Sequence, residues 1–476
     1  MRRRAQRMRR RARLGIRLDR LDLGVGVATA GLLLAMAATL LAGDRVGAGV
    51  AAMFPQGDAH TTGPIRITFY EPMDTASVEA RFAIAPPVAG KFSWSGTQLT
   101  FMPSTALAAD QTYTVTLRAG AKSVQGRRMI ADVGWSFHVA RPRIVYLAPA
   151  VREGQAQPSN LWLVDPAQPF AVTQLTFSQS GLLDFAPSPD GTRIAYTEQV
   201  GKDGGNLYVL NFDNGASQQV TNCIDALCQS PAWSPDGSRI AYERTELNRD
   251  LPPNDRGPHT WIVNLNDLST SPLLKESQFL GKLPRWSPDG TQIAVYDQNQ
   301  HAIAIYNLTT GDSKLIPTVI EEPGLFDPTG QRLVYAILVE APLEFYSSFA
   351  LADLINPRGG VHPLNGQDAP PVDDHQAAWN PDGESLAVTR RYLDNRPVCG
   401  PQVYLVNPDT GDTQPLVVEG NYSHGAIGWN PAGDQLVMQR FPCMEQNAQP
   451  GIWVYDMQGK TLRQVAKNGY VPQWLP

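Results

Sequence analysis

The sequence predicts an all-β protein, and three observations carry that prediction. A five-residue phrase close to WSPDG recurs through the C-terminal two thirds of the chain. Pro (39) and Gly (41) make up about a sixth of the 476 residues, a turn density that suits many short strands. Short runs of alternating apolar and polar residues fill the space between the turns. The copies of the phrase read FAPSPDG (185–191), WSPDG (233–237), WSPDG (286–290), FDPTG (326–330), WNPDG (379–383) and WNPAG (429–433), with a truncated WLP at 474–476. Their prolines, from Pro189 to Pro476, are spaced by 40 to 53 residues. A repeat of that length, made of short apolar strands, is the signature of a β-propeller blade.

The chain begins differently. Residues 1–20 hold ten arginines and one aspartate, so the remainder carries a net charge of −14. A folded region that acidic is a poor nucleic-acid binder, and no nucleic-acid partner is expected. Leu23 to Gly43 follows as 21 residues without a charge. As a helix it would span about 30 Å, the thickness of a bilayer's hydrocarbon core. The arginines place its N-terminal side in the cytoplasm. The expected layout is a basic cytoplasmic tail (1–20), a single-pass transmembrane helix (21–43) that partners the membrane, and extracytoplasmic domains beyond it. A cleaved signal peptide, with a small-residue site near Ala51 and Ala52, is the alternative.

The Gly/Ala-rich stretch 44–62 reads as a linker. Residues 63–140 read as a β-sandwich, because their apolar residues recur with period two. Ile65, Ile67 and Phe69 share one face; so do Phe92 and Trp94, Leu99 and Phe101, and Tyr113, Val115 and Leu117. Trp135 and Phe137 close the set. The phrases ITFYEPMD (67–74), FAIAPPVAGKFSW (82–94), LTFMPSTALAADQTYTVTL (99–117) and GWSFHV (134–139) resemble the bacterial Ig-like domain of the SbsA type. In that family the segment holding Glu71, Met73 and Asp74 is turn and edge structure, which argues against a metal there.

Residues 141–476 read as the propeller. Each repeat has an innermost strand ending in the WSPDG-like turn, a second strand such as RIAYTE (193–198), a third such as NLYVLNF (206–212) and a polar fourth. Third strands recur seven times, at 160–165, 206–211, 260–265, 302–307, 349–354, 402–407 and 451–456. The first repeat lacks its own innermost strand, and the last consists of one alone, YVPQWLP (470–476). Pairing the two ends completes a seven-bladed ring and removes exposed sheet edges. Six blades is the alternative, because FDPTG is degenerate.

Each position in the phrase has a structural reason. Tryptophan fills the wide gap between blades. Proline presets φ, glycine supplies a positive φ, and aspartate accepts hydrogen bonds from the turn backbone. Asp190, Asp236, Asp289 and Asp382 are therefore turn residues and not a ring of metal ligands. PAWSPDGSRIA (231–241), PRWSPDGTQIA (284–294) and AAWNPDGESLA (377–387) resemble the TolB-type, WD40-like propeller family. That resemblance implies protein–protein contacts as the function.

The long segments 244–259, 338–348, 390–401 and 440–450 all lie between second and third strands, on the face opposite the WSPDG turns. Loops on a rigid scaffold commonly carry recognition. The candidate partner-binding face comprises Arg249, Asp250, Asp255, Arg256, Glu344, Tyr346, Arg391, Tyr392, Arg396, Phe441, His375 and His424. His375 and His424, read as occupying equivalent places just before neighbouring innermost strands, are candidates for the channel mouth together with Asp373, Asp374 and Lys282. Cys223, Cys228, Cys399 and Cys443 form an even set without a C-x-x-C pair, which points to disulfides. Cys223–Cys228 within one loop and Cys399–Cys443 between neighbouring blades are expected. No G-x-S-x-G, H-E-x-x-H or P-loop motif occurs, so no catalytic residue, metal or cofactor is assigned. The reading is a binding or scaffolding protein with a protein partner at the cell envelope. An enzyme with a site in the propeller channel and a glycan-binding module are its alternatives.

Overall fold

The computed structural model describes residues 47–476 except 153–154, 213, 275–279, 341–344, 357–360, 367–368, 395 and 446–447, together with residues 29, 31–34 and 36. The basic tail and most of 21–43 therefore lie outside the described residues. Among the described residues, no helix is long and apolar enough to cross a membrane. Crossing takes about 20 consecutive apolar helical residues. The single-pass placement, with a cytoplasmic N-terminus and extracytoplasmic C-terminal domains, accordingly does not stand.

The sandwich starts earlier than its composition suggests. Val50–Phe54 and Asp58–Ala59 are strands, so 50–59 belongs to the sandwich and is not linker. Val50–Phe54 pairs antiparallel with Ile65–Phe69, in a sheet completed by Gln98–Pro103 and Gly90–Ser95. Asp58–Ala59 joins Val133–Val139, Thr112–Leu117 and Phe82–Ala85 in the second sheet. Small residues here permit close packing. A Cβ on Gly47 would lie 2.6 Å from the Arg128 carbonyl oxygen and from Ile130. The alternating apolar residues meet between the sheets, with Ile65, Ile67, Phe69, Leu99, Val115 and Leu117 all buried. Asp74 caps the short helix Thr75–Glu79 by accepting from the Ser77 N–H at 3.0 Å. Glu71 pairs with Arg127 at 2.7 Å and Met73 is core, so all three residues of that phrase have structural roles.

Beyond the sandwich, four-stranded antiparallel meanders follow one another. Arg143–Arg152, Gln155–Val164 and Val172–Gln174 form a sheet with the last strand, Tyr470–Leu475, which pairs with Arg143–Arg152. The next two meanders, 182–219 and 226–272, are joined by a single parallel pairing between Gly205 and Leu227. Meanders at 281–317, 325–363, 372–417 and 422–466 complete the series.

The tryptophans do more than fill space. Trp233, Trp286, Trp379, Trp429 and Trp474 each donate the indole N–H to a backbone carbonyl of the preceding blade. The acceptors are Ala186, Ala232, Leu325, Ala378 and Gly428, at 2.9 to 3.3 Å. Every acceptor is the residue just before the tryptophan position of its own blade. Arg193, Arg239 and Arg332 lie over Trp233, Trp286 and Trp379 at 4.6, 4.7 and 5.1 Å. Pro187 and Phe326 hold the tryptophan position in two blades and supply no such donor.

Candidate functional site

The propeller has a turn end and a loop end, and different chemistry holds each. At the turn end Asp190 accepts from the Ser188 hydroxyl (2.7 Å) and the Thr192 N–H (3.1 Å). Asp236 and Asp289 repeat the pattern with Ser234 and Ser238, and with Ser287 and Thr291. Burial alone would raise the pKa of these three carboxyls, but their hydrogen bonds outweigh it and hold them below the ordinary value. Where the phrase loses its acid, at Thr329 and Ala432, an earlier residue supplies the acceptor. Asp327 takes the N–H groups of Gln331 and Arg332, and Asn430 takes those of Asp434 and Gln435. These acids build turns.

The Ig-like domain sits on this end. Thr62 donates its hydroxyl to the Pro189 carbonyl at 2.6 Å, and His60 Nδ1 lies 2.7 Å from the Pro476 carbonyl. Gly191 adopts φ +70°, and a Cβ there would come within 2.4 Å of Pro476 O and 2.8 Å of His60 Nδ1. Residues 102–108 of the sandwich line the channel mouth together with Thr62 and Arg66. One end of the channel is thus covered by the preceding domain.

The loop end is built from the long segments between second and third strands. Arg249 and Asp250 are exposed beside the short helix Pro253–Arg256, which includes Asp255 and Arg256, both partly buried. Tyr346 is half-buried in the hairpin of Arg332–Glu340 and Phe345–Asp353. Glu344 lies outside the described residues. Arg391 is exposed and pairs with Asp373 at 3.1 Å. Arg396 pairs with Asp394 at 2.8 Å and covers the Tyr392 ring at 3.7 Å. Phe441 is partly buried. Cys223 is bonded to Cys228, and Cys399 to Cys443. The second bridge joins long loops of adjacent blades. Exposed apolar side chains on this end include Phe177, Ile224, Phe345 and Met444, on different blades.

The two histidines part company. Counted from the tryptophan of each repeat, His375 stands four residues before Trp379 and His424 five before Trp429, so the true equivalents are Asp374, opposite Arg390, and His424, opposite Arg440. His424 is 2% exposed and cannot face a partner or the channel mouth. Its Nδ1 lies 3.1 Å from the Pro401 carbonyl, and its Nε2 is buried without a partner. Desolvation pushes its pKa down to about 4, with Arg440 adding to the effect. His375 is exposed on the channel wall and contacts Asp373 at 3.2 Å. Lys282 is taken up by Glu321.

Two buried arginines were not singled out from the sequence. Arg390 and Asp374 form a fully buried bidentate pair at 2.6 and 3.1 Å, and Asp374 also accepts from the Phe349 N–H of the preceding blade. Burial by itself would lower the Arg390 pKa, but Asp374 outweighs it and holds it above the ordinary value. Arg440 bonds Glu419 at 2.8 Å and lies between the rings of Tyr422 and Trp453, at 4.0 and 4.4 Å. The doubled arginines at 390–391 were the available signal, since one of the pair must point inward on a strand. Among the described residues, no group of three His, Cys, Asp or Glu side chains could hold a metal ion.

Comparison with known proteins follows the same division. Residues 45–139 match the bacterial Ig-like domain family. Over 114 residues the chain is 34% identical to the Tol-Pal system protein TolB of Alcanivorax borkumensis, covering 23% of this chain and 24% of that protein. Over 65 residues it is 48% identical to a TolB homologue of Chlorobaculum tepidum, covering 13% and 14%. The chain is a TolB-like propeller protein with an N-terminal bacterial Ig-like domain. The matched stretches span a quarter or less of those TolB relatives. Among solved structures, TolB of Acinetobacter baumannii aligns with a TM-score of 0.41 and 13% identity, over 90% of this chain and 99% of that one.

Proposed function

We propose that this TolB-like protein is a binding scaffold whose seven-bladed propeller presents its loop end to a protein partner at the cell envelope. The observation that carries the reading is the placement of the Ig-like domain. It covers the turn end through His60 and Thr62, which leaves the loop end as the free face. That face combines side chains suited to recognition. Arg391 and Arg396 supply charge, and Phe345 and Met444, 65% and 82% exposed, supply apolar anchors. Exposed apolar groups on one rigid face mark interaction sites, and aromatic and arginine anchors dominate binding energy in protein interfaces. The similarity to Tol-Pal system TolB supports a protein partner over a small substrate. The proposed face comprises Arg249, Asp250, Tyr346, Arg391, Tyr392 and Arg396, with Phe345 and Met444 added from the structure and His424 removed. The reading assigns the scaffold no catalytic role.

The test is crosslinked capture from envelope extracts of the native host, comparing wild type, a Phe345→Asp/Met444→Asp double variant and Tyr70→Asp. Tyr70 is equally exposed, at 77%, but lies on the Ig-like domain. Wild type and Tyr70→Asp are expected to retain the same protein, and the double variant to lose it. Equal capture by all three would overturn the assignment of the face.

A further inference from the structure

The blade at 325–363 departs from the others at the two positions that fill the space beside the channel. Its innermost strand is only Leu325–Phe326, whereas its neighbours have Gly281–Trp286 and Val372–Trp379. On the second strand, three residues beyond the partner of the tryptophan position, the other blades carry Leu147, Thr197, Glu243, Tyr296, Thr389 or Gln439. This blade carries Ala336. Strand and side chain are both curtailed at one spot. Leu325, Val334, Ala336 and Phe349, the last three almost fully buried, border the same 1310 Å³ cavity as the channel wall. A concave, mainly apolar recess with few polar groups is the usual form of a small-molecule site.

Arg285 supplies a cation beside the recess. The residue before the tryptophan position is Ala186, Ala232, Leu325, Ala378, Gly428 or Gln473 in six blades and Arg285 in the seventh. Arg285 lines the cavity and is exposed to it, and the surrounding protein lowers its pKa by desolvation. Among the described residues its side chain makes no hydrogen bond or ion pair, and Glu322 lies within its electrostatic reach. Glu322 in turn feels both Arg285 and His375. A guanidinium with unused donors beside an apolar recess matches a carboxylate through parallel N–H···O bonds. The nearby Glu322 carboxylate disfavours a second negative charge.

We infer that this recess binds a small organic monoacid, with an aryl or branched alkyl body against Val334, Ala336 and Phe349 and its carboxylate on Arg285. The Ig-like domain covers the turn end, so the ligand enters from the loop end. This site is separate from the loop-end face, and each can fail without the other.

The test titrates the full chain with phenylacetate, 3-phenylpropionate, 4-phenylbutyrate, the matched amides and phenylsuccinate, followed by ligand-observed NMR. At least one monoacid is expected to saturate below about 10 mM, the range of a weak fragment-sized ligand. Its amide and phenylsuccinate should bind roughly tenfold more weakly or worse, as the loss of one charged hydrogen-bond pair implies. Arg285→Ala, which installs the residue of three other blades, should weaken the acid as much as amidation does. Arg285→Gln, which copies Gln473, serves if the alanine variant unfolds at a lower temperature than wild type. Ala336→Leu should abolish binding of acid and amide alike. The inference is overturned if no monoacid saturates, or if acid and amide bind equally to wild type and to the Arg285 variant.

Discussion

The two ends of the propeller are stabilised in opposite ways. At the turn end many small, repeated contacts share the work: the Asp190, Asp236 and Asp289 turns, and indole N–H donations from one blade to the one before. At the loop end a few buried groups carry a great deal each: the Arg390–Asp374 pair, Arg440 between its two rings, His424, and the Cys399–Cys443 bridge. Redundancy at one end leaves sequence freedom at the other. The long loops can vary in length and charge because a handful of internal anchors holds their bases.

The contrast can be broken most severely at Asp374. Asp374→Ala would strand the fully buried Arg390, and losing one partner of such a pair costs about 3–5 kcal/mol. Denaturant unfolding should show that loss, and a change within 1 kcal/mol would mean the pair does not anchor the loop end. His424 tests the same end through pH. Its folded pKa of about 4 is below the unfolded value of 6.5, so the unfolded state binds the proton first. The stability it contributes is present in full above pH 6.5 and is lost as the pH falls towards 4. Over that window the loss is roughly 3 kcal/mol, with Arg440 and Glu419 the nearest charges. His424→Asn, which keeps a donor toward Pro401, should remove that slope between pH 6.5 and 4; an unchanged slope would assign it elsewhere. The turn end should yield least. Trp233→Phe removes one indole donation to the Ala186 carbonyl, and about 1 kcal/mol is expected in thermal or denaturant unfolding. A loss above 3 kcal/mol would show that the turn end is no more redundant than the loop end.

Much of the repeated end was legible in the sequence, because a turn writes its chemistry into adjacent residues. Ser188, Pro189, Asp190 and Gly191 contact one another locally, and spacing alone identifies them. The indole donation was not legible, since its acceptor is a backbone carbonyl on another blade. The same holds for the cover over the channel, where His60 and Thr62 meet the carbonyls of Pro476 and Pro189. The stretch 44–62 misled because Gly and Ala serve tight packing as well as flexibility. His375 and His424 misled for a different reason. His375 lies four residues before Trp379 and His424 five before Trp429, so the spacing of the repeat itself sets Asp374, and not His375, level with His424. Arg285 was visible in PRWSPDG as the one charged residue at its position, but its meaning depended on the shortened strand of the next blade.

The closing strand has a mechanical consequence. Tyr470–Leu475 lies beside Arg143–Arg152, and Gln155–Val164 flanks the same strand on its other edge. The strand that receives the chain from the Ig-like domain is therefore interior to its sheet. Tension arriving from that domain is divided between two hydrogen-bond ladders, one of which is made with Tyr470–Leu475. The clasp that shuts the ring is also the bracket by which the ring is held.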